Sequence, residues 1–212
     1  LNTKKLNAMK RLSLTGLFIL LLSVVFLSYR YINHSGEFRI DPASRLRLEG
    51  ATNINQFTCD CQENFPVDTY HTIEDGSPYF LRLENTDLKL RIEKLDCGRD
   101  VINKDLRKAL QADEHPYIRI EVQSIRLPEV DDAVGDDQWT NIPVKTRITI
   151  AGVSRPLHLS VDAKAVDKKT YKLRSETKVA MTDFGIDPPK PMLGMIKVKD
   201  EITIHFDLIV SL

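Results

Sequence analysis

From Glu37 onward, hydrophobic residues recur at every second position. Leu88, Leu90 and Ile92 alternate with Lys89, Arg91 and Glu93. Ile118, Ile120 and Val122 alternate with Arg119, Glu121 and Gln123, and Ile202, Ile204, Phe206 and Leu208 with Thr203, His205 and Asp207. A period of two puts one set on each face of a strand, so these segments read as strands with one buried and one wet face. Strands are predicted near 44–50, 52–60, 79–84, 86–95, 117–126, 142–151, 155–164, 170–181 and 195–210. Thr86 and Asp87 read as a kink within one long strand rather than a turn. Many alternating strands with short connections predict an all-β antiparallel body, and closure into a barrel or sandwich hides the sheet edges. The long segment Ile196–Val210 suits a bent barrel strand better than a flat sandwich. One helix interrupts the strands: Asp100 reads as its N-cap, Val101, Leu106 and Leu110 recur near helical spacing, and it ends before Pro116. A natural place for it is across one mouth of a barrel.

Ahead of this body the pattern changes. Leu12–Tyr29 holds no charged residue, and Lys10 and Arg11 precede it. A basic flank followed by an apolar stretch is the plan of an export signal, with the N-terminus cytoplasmic and the body exported. As a helix the stretch spans about 27 Å, just enough for a bilayer core. No small-x-small cleavage site is evident: Phe26 stands two positions before Ser28, and Asn33 before Ser35. No cysteine follows for lipid attachment. A retained single-pass anchor is therefore expected, with a cleaved signal as the alternative. Residues 1–11 are then a basic tail, 12–29 the anchor, 30–36 a linker and 37–212 the folded body. Met9 is an alternative start to Leu1.

The chain has 212 residues, 42% of them hydrophobic, which is ample for a core. Thirty bases balance thirty acids, but five bases and no acid fall within residues 1–36. The remainder holds 25 bases against 30 acids, a net of −5. A mildly acidic body argues against nucleic-acid binding, which needs a basic surface. Phosphate-binding, nucleophile-elbow and HExxH motifs are missing, so no enzyme, cofactor or metal site is expected. Of the five histidines, His158 and His205 fall on the polar parity of their strands and read as exposed. Asp131, Asp132, Asp136 and Asp137 lie in the polar stretch Leu127–Gln138, which lacks the calcium-loop spacing and reads as a solvated loop.

Cys59, Cys61 and Cys97 admit one disulfide in an exported protein. Cys59 and Cys61 share one strand face, so either can pair with Cys97, and parity does not choose between them. Asp183-Phe184-Gly185-Ile186-Asp187-Pro188-Pro189 ends a strand with a permissive glycine and two stiffening prolines. It reads as a structured turn with Phe184 in the core, or as a lip over a cavity.

Several pieces, in their order, resemble the YceI-like family of polyisoprenoid-binding, lipocalin-like bacterial barrels. They are Phe38-Arg39-Ile40-Asp41-Pro42-Ala43-Ser44, the run from Leu48 to Cys59, Leu95-Asp96-Cys97-Gly98 with the helix through Ala109-Leu110, Ala151-Gly152-Val153-Ser154-Arg155-Pro156-Leu157, and Asp183-Phe184-Gly185-Ile186 with Leu193-Gly194-Met195-Ile196-Lys197-Val198. The second-strand and cysteine-turn pieces are similar to a branch common in Bacteroidetes. The resemblance implies an eight-stranded up-and-down antiparallel barrel around an elongated apolar pocket. It also implies an isoprenoid or other long-chain lipid as ligand, and a Cys59–Cys97 disulfide with Cys61 left over.

An eight-stranded barrel has room for packed side chains or one slim ligand. The expected wall is Leu48, Leu83, Leu90, Ile92, Ile118, Ile120, Ile148, Leu159, Val179, Phe184, Ile204 and Phe206, with small Ser175 and Thr177 leaving space. Arg45 or Lys190 is expected near a polar head group at the mouth. The leading expectation is a lipid carrier or sequestering protein at the periplasmic face of the bacterial inner membrane. The alternative is a structural or protein-interaction module with a filled barrel.

Overall fold

The computed structural model describes residues 34–61, 63, 68–74, 79–84, 86–128 and 138–212. The expected anchor Leu12–Tyr29 and the aspartates of residues 131–137 lie outside them. Among the described residues no helix is long and apolar enough to cross a membrane.

Twelve strands form one antiparallel sheet: β1 (His34–Ile40), β2 (Arg45–Thr52), β3 (Gln56–Cys61), β4 (Asp68–Glu74), β5 (Phe80–Glu84), β6 (Asp87–Arg91), β7 (Leu95–Asp96), β8 (Tyr117–Arg126), β9 (Thr140–Ile150), β10 (Val153–Ala165), β11 (Thr170–Ala180) and β12 (Val198–Ser211). Among the described residues one α-helix, α1 (Asp100–Ala109), lies between β7 and β8. Several short strands are pieces of longer ones. β1 and β2 both run along β12, with Ile40 opposite Val210 and Arg45 opposite Asp207. Five steps on one side against three on the other make a bulge of two extra residues. β5 and β6 likewise both run along β8, with Arg82 opposite Ser124 and Asp87 opposite Glu121. The kink expected at Thr86 is this second bulge. There the Thr86 hydroxyl donates to the Val122 carbonyl at 2.6 Å. β3 lies against β2 and β4 against β1.

Counting these composites, eight strand positions follow one another around a ring that closes through β12 onto β1 and β2. The ring is not a regular barrel, and the expectation is corrected to that extent. β3 does not pair with β6; instead β7 crosses to β3 through Asp60–Asp96 and Cys61–Leu95. β10 and β11 pair only from Asp162–Arg174 to Ala165–Tyr171 and separate beyond. By contrast β9 and β10 pair along their whole length, joined by a two-residue turn at Ala151 (φ 48°) and Gly152 (φ 76°). Two left-handed residues in succession are what a tight hairpin of the right twist requires.

Two differences from the sequence reading have local causes. Residues 34–36, expected as linker, begin β1, where His34 pairs with Thr72. Asp100 is not the N-cap but the first helical residue. Arg99 occupies the cap position without a side-chain bond. Asn103 secures the helix entrance instead, its side chain accepting from the Cys97 amide at 2.7 Å and donating to Asp96 at 3.0 Å.

The interior divides into two parts. One cluster gathers Leu46, Leu90, Ile118, Ile148, Phe184 and Phe206 with their neighbours; the other packs Ile142, Val144, Leu159 and Ala163. The inward row of β9 runs through both, and Thr146 stands between them. It is 1% exposed, and its hydroxyl is satisfied by the Leu157 carbonyl at 3.1 Å.

Candidate functional site

A cavity of about 520 Å³ occupies the first of these two parts. Small-molecule sites fall in the range of about 300–1,000 Å³. Its walls are almost wholly aliphatic and aromatic. β2, β3, β8, β9 and β12 supply alternate residues, as the period of two dictates, and β6 and β11 add Leu90 and Val179. Gly50 is buried in this wall because the Phe57 ring lies across it: a Cβ there would come within 2.3 Å of the ring. The glycine thus lets an aromatic side chain join the lining. The charged lining residues are Arg99 and Asp100 at the start of α1 and Asp105 in its middle. Exposed Val101 and Met192 also line it, so the cavity meets solvent between the β2–β3 turn, α1 and the segment from Pro189 to Ile196. At the other end the Ile142–Leu159 cluster closes it.

Nine of the expected wall residues line this cavity: Leu48, Leu90, Ile118, Ile120, Ile148, Val179, Phe184, Ile204 and Phe206. Three do not. Leu83 sits on β5, opposite Thr72 of β4 and beyond the kink. Ile92 is fully buried within a 3-10 turn, Ile92–Lys94, and packs behind the wall. Leu159 belongs to the packed end. Neither residue expected near a head group lines the cavity. Arg45 points to the outer face of β2, into a shallow polar groove shared with Arg47, Asp162, Arg174 and Asp207. Lys190 is exposed, and it is its neighbours Pro189 and Pro191 that reach the lining. His205, expected to be exposed, is half-enclosed in the same outer groove. Its ring nitrogens stand 3.3 Å from Glu49 and 3.7 Å from Glu176. Ser175 and Thr177 do share the inward parity of Val179, but the Ser175 hydroxyl is occupied, donating to Ser160 O at 2.8 Å where β10 and β11 separate.

The sequence reading missed the helix contribution, from Val101, Ile102, Leu106, Ala109 and Leu110. The recurrence that predicted α1 was the available signal, since an amphipathic face must bury itself against something.

The two irregular places in the ring are held by side chains. Where β3 and β6 do not pair, Cys59 and Cys97 form a disulfide, and both line the cavity. Nearby, Arg91 grips the buried Glu63 carboxylate in a two-pronged pair at 2.9 and 2.8 Å. That pairing, first through the hydrogen bonds and then through charge, raises the arginine's pKa. Cys61 is left free, and burial pushes its thiol up, so it is held as the unreactive thiol. Where β10 and β11 separate, the 3-10 turn Met181–Phe184 follows β11 and packs against β10 and β12. Phe184 is buried and lines the cavity. Gly185 ends the turn at φ 69°. Asp200 of β12 anchors it, accepting from the Thr182 amide at 2.9 Å and its hydroxyl at 2.6 Å. These bonds, the hydroxyl's first, hold the Asp200 carboxyl below its ordinary value.

The rim carries backbone strain. Met192 (φ 53°) and Leu193 (φ 55°) are left-handed without being glycine, followed by Gly194 at φ 84°. Such a conformation costs roughly 1–2 kcal/mol per residue.

A family model for the YceI-like domain matches residues 35–210. No curated protein matches the chain. Among solved structures it is similar to a polyisoprenoid binding domain from Saccharophagus degradans implicated in plant cell wall breakdown. The TM-score is 0.60 at 10% identity, covering 82% of this chain and 97% of that one. It is also similar to BcnA of Burkholderia cenocepacia, with a TM-score of 0.55 at 14% identity, covering 82% and 99%. At such identities these two structures speak to the fold alone, whereas the family match spans most of the chain, including both cysteines of the disulfide and the bulge at Asp41–Ser44. The chain belongs to the YceI-like family.

Proposed function

We propose that this protein binds a long-chain isoprenoid or similar lipid in its apolar cavity and carries or sequesters it. The observation that carries the reading is the cavity itself: about 520 Å³ of space walled by hydrocarbon, open at one end and closed at the other. Membership of a family whose similar structures include a polyisoprenoid binding domain supports the same ligand class. Each buried CH2 contributes about 0.8 kcal/mol, so ten of them contribute about 8 kcal/mol before the cost of ordering the chain. The polar end then lies at the mouth, beside Arg99, Asp100 and Asp105. The expected setting is the periplasmic side of the bacterial inner membrane, with Leu12–Tyr29 as anchor.

Native mass spectrometry of the full chain purified from its own host tests the ligand. The expected result is a bound lipid at one per chain, lost on delipidation and regained with a long-chain prenol. Val179→Trp pushes a bulky ring into the cavity and should sharply weaken that uptake, at a cost of about 1–3 kcal/mol of stability. Failure of the wild type to take up any prenol or fatty chain would overturn the reading. For the setting, external protease should digest the body in spheroplasts and spare it in intact cells.

A further inference from the structure

Among the described residues, five of the nine exposed large hydrophobics crowd the rim of the cavity: Ile54, Val101, Met192, Leu193 and Met195. Ile54 tips the β2–β3 turn, Val101 begins α1, and the three others follow Pro191. Leu193 is fully exposed. The turn and the loop are fastened together. The Asn53 side chain donates to the Met195 carbonyl at 3.1 Å and accepts from the Lys197 amide at 2.8 Å, and its backbone amide donates to the Lys197 carbonyl at 3.0 Å. Met192 and Leu193 hold left-handed backbone angles. Apolar side chains kept in water by a pinned and strained backbone have a partner outside the fold. On this loop side of the mouth, residues 188–199 carry Lys190, Lys197 and Lys199 and no acid, between Asp187 and Asp200, the latter held by Thr182; the α1 side carries Arg99, Asp100 and Asp105.

Apolar tips flanked by lysines match a bilayer with anionic head groups. The tips enter the acyl boundary while the ammonium groups meet phosphates. We propose that this rim docks on an anionic lipid bilayer, mouth first, so that a chain passes between membrane and cavity without crossing water. The role in transfer rests on the reading that the cavity holds a lipid chain; the docking itself is testable with no ligand.

The full chain is reconstituted in host vesicles and mixed with acceptor vesicles of phosphatidylcholine containing brominated acyl chains, with or without phosphatidylglycerol. Tryptophan fluorescence is read from Leu193→Trp in a Trp139→Phe background. Val166→Trp in the same background, at the opposite end of the sheet, is the control. Bromine should quench the Leu193→Trp probe, more strongly with phosphatidylglycerol, and leave the Val166→Trp probe unchanged. In a second measurement the protein is loaded with a fluorescent prenol. Leu193→Asp with Met195→Asp, neither of which lines the cavity, should slow transfer to acceptors about tenfold, the effect of replacing an inserted hydrophobic side chain by a charge. Equilibrium loading should not change. Equal quenching of both probes, or none, overturns the docking. So does shielding of the Leu193→Trp probe that grows with protein concentration without quenching, which would place a second copy of the chain on the rim. Quenching at Leu193→Trp in a protein that loads no prenol would sink the carrier reading and leave the docking standing.

Discussion

The bulge between β1 and β2 leaves the Ile209 amide facing no ladder carbonyl, and the Ser44 hydroxyl takes the vacant place at 2.9 Å. Beside it the Asp41 side chain accepts from the Ala43 amide at 2.8 Å, and Pro42 has no amide to satisfy. The run Asp41-Pro42-Ala43-Ser44 is therefore a repair kit for a broken ladder. Ser44→Ala should cost about 1–3 kcal/mol in denaturant unfolding, the cost of an unsatisfied buried donor. The disulfide acts through the unfolded chain. Cys59 and Cys97 are 38 residues apart, and removing the link with Cys59→Ser and Cys97→Ser should cost about 4 kcal/mol in the chain-entropy account. Thiol titration of the unfolded wild type should find one free cysteine. Asp200 responds to acid with a defined sign. Its folded value lies below the ordinary 3.8, so its contribution is complete above that pH and is lost as the pH falls further through the folded value. The Thr182 amide signal in NMR should titrate with a midpoint below 3.8, and Asp200→Asn should remove that dependence. The Asp41–Ala43 bond is local, but the Ser44–Ile209, Cys59–Cys97 and Thr182–Asp200 partnerships were not legible in the sequence, because each joins groups far apart in the chain. Cysteine parity stopped at two choices, and only the resemblance singled out Cys59.

Elements were more legible than their partners. Nine of the observed strands, β2, β3, β5, β6 and β8 to β12, coincide within a few residues with the predicted segments, because one face of each is buried. β4 escaped: Asp68-Thr69-Tyr70-His71-Thr72-Ile73-Glu74 has no clean alternation of apolar and polar residues. Parity also says that a residue faces inward without saying how far along the ring it sits. Leu159 and Ile148 have the same inward parity, yet one helps close the cavity and the other lines it. That difference predicts different phenotypes. Leu159→Ala should cost about 2–5 kcal/mol of stability and leave prenol uptake intact at temperatures where the protein stays folded. Phe184→Ala removes the side chain beside the parted strands β10 and β11. It should cost about 3–5 kcal/mol and also alter uptake, measured by equilibrium binding of a fluorescent prenol.

For the whole molecule, the order of eight strand positions was readable through the resemblance, while the twelve-strand execution was not. The departures from a regular ring arise where backbone pairing gives way to a disulfide, an Arg91–Glu63 pair and a 3-10 turn. The disulfide and the ion pair join distant residues that no local pattern encodes, whereas the turn is local and only its packing against β10 and β12 is not. The division of the interior has the widest reach. With Ile142, Val144, Leu159 and Ala163 sealing one end, the interior is a cul-de-sac rather than a tunnel. A lipid guest of the kind proposed would back out by the door through which it came, tail last. A newcomer can neither push it through nor enter beside it, so exchange is strictly one out before one in. The displacement rate should then be independent of competitor concentration, a signature that stopped-flow mixing of a loaded protein with unlabelled prenol would read directly.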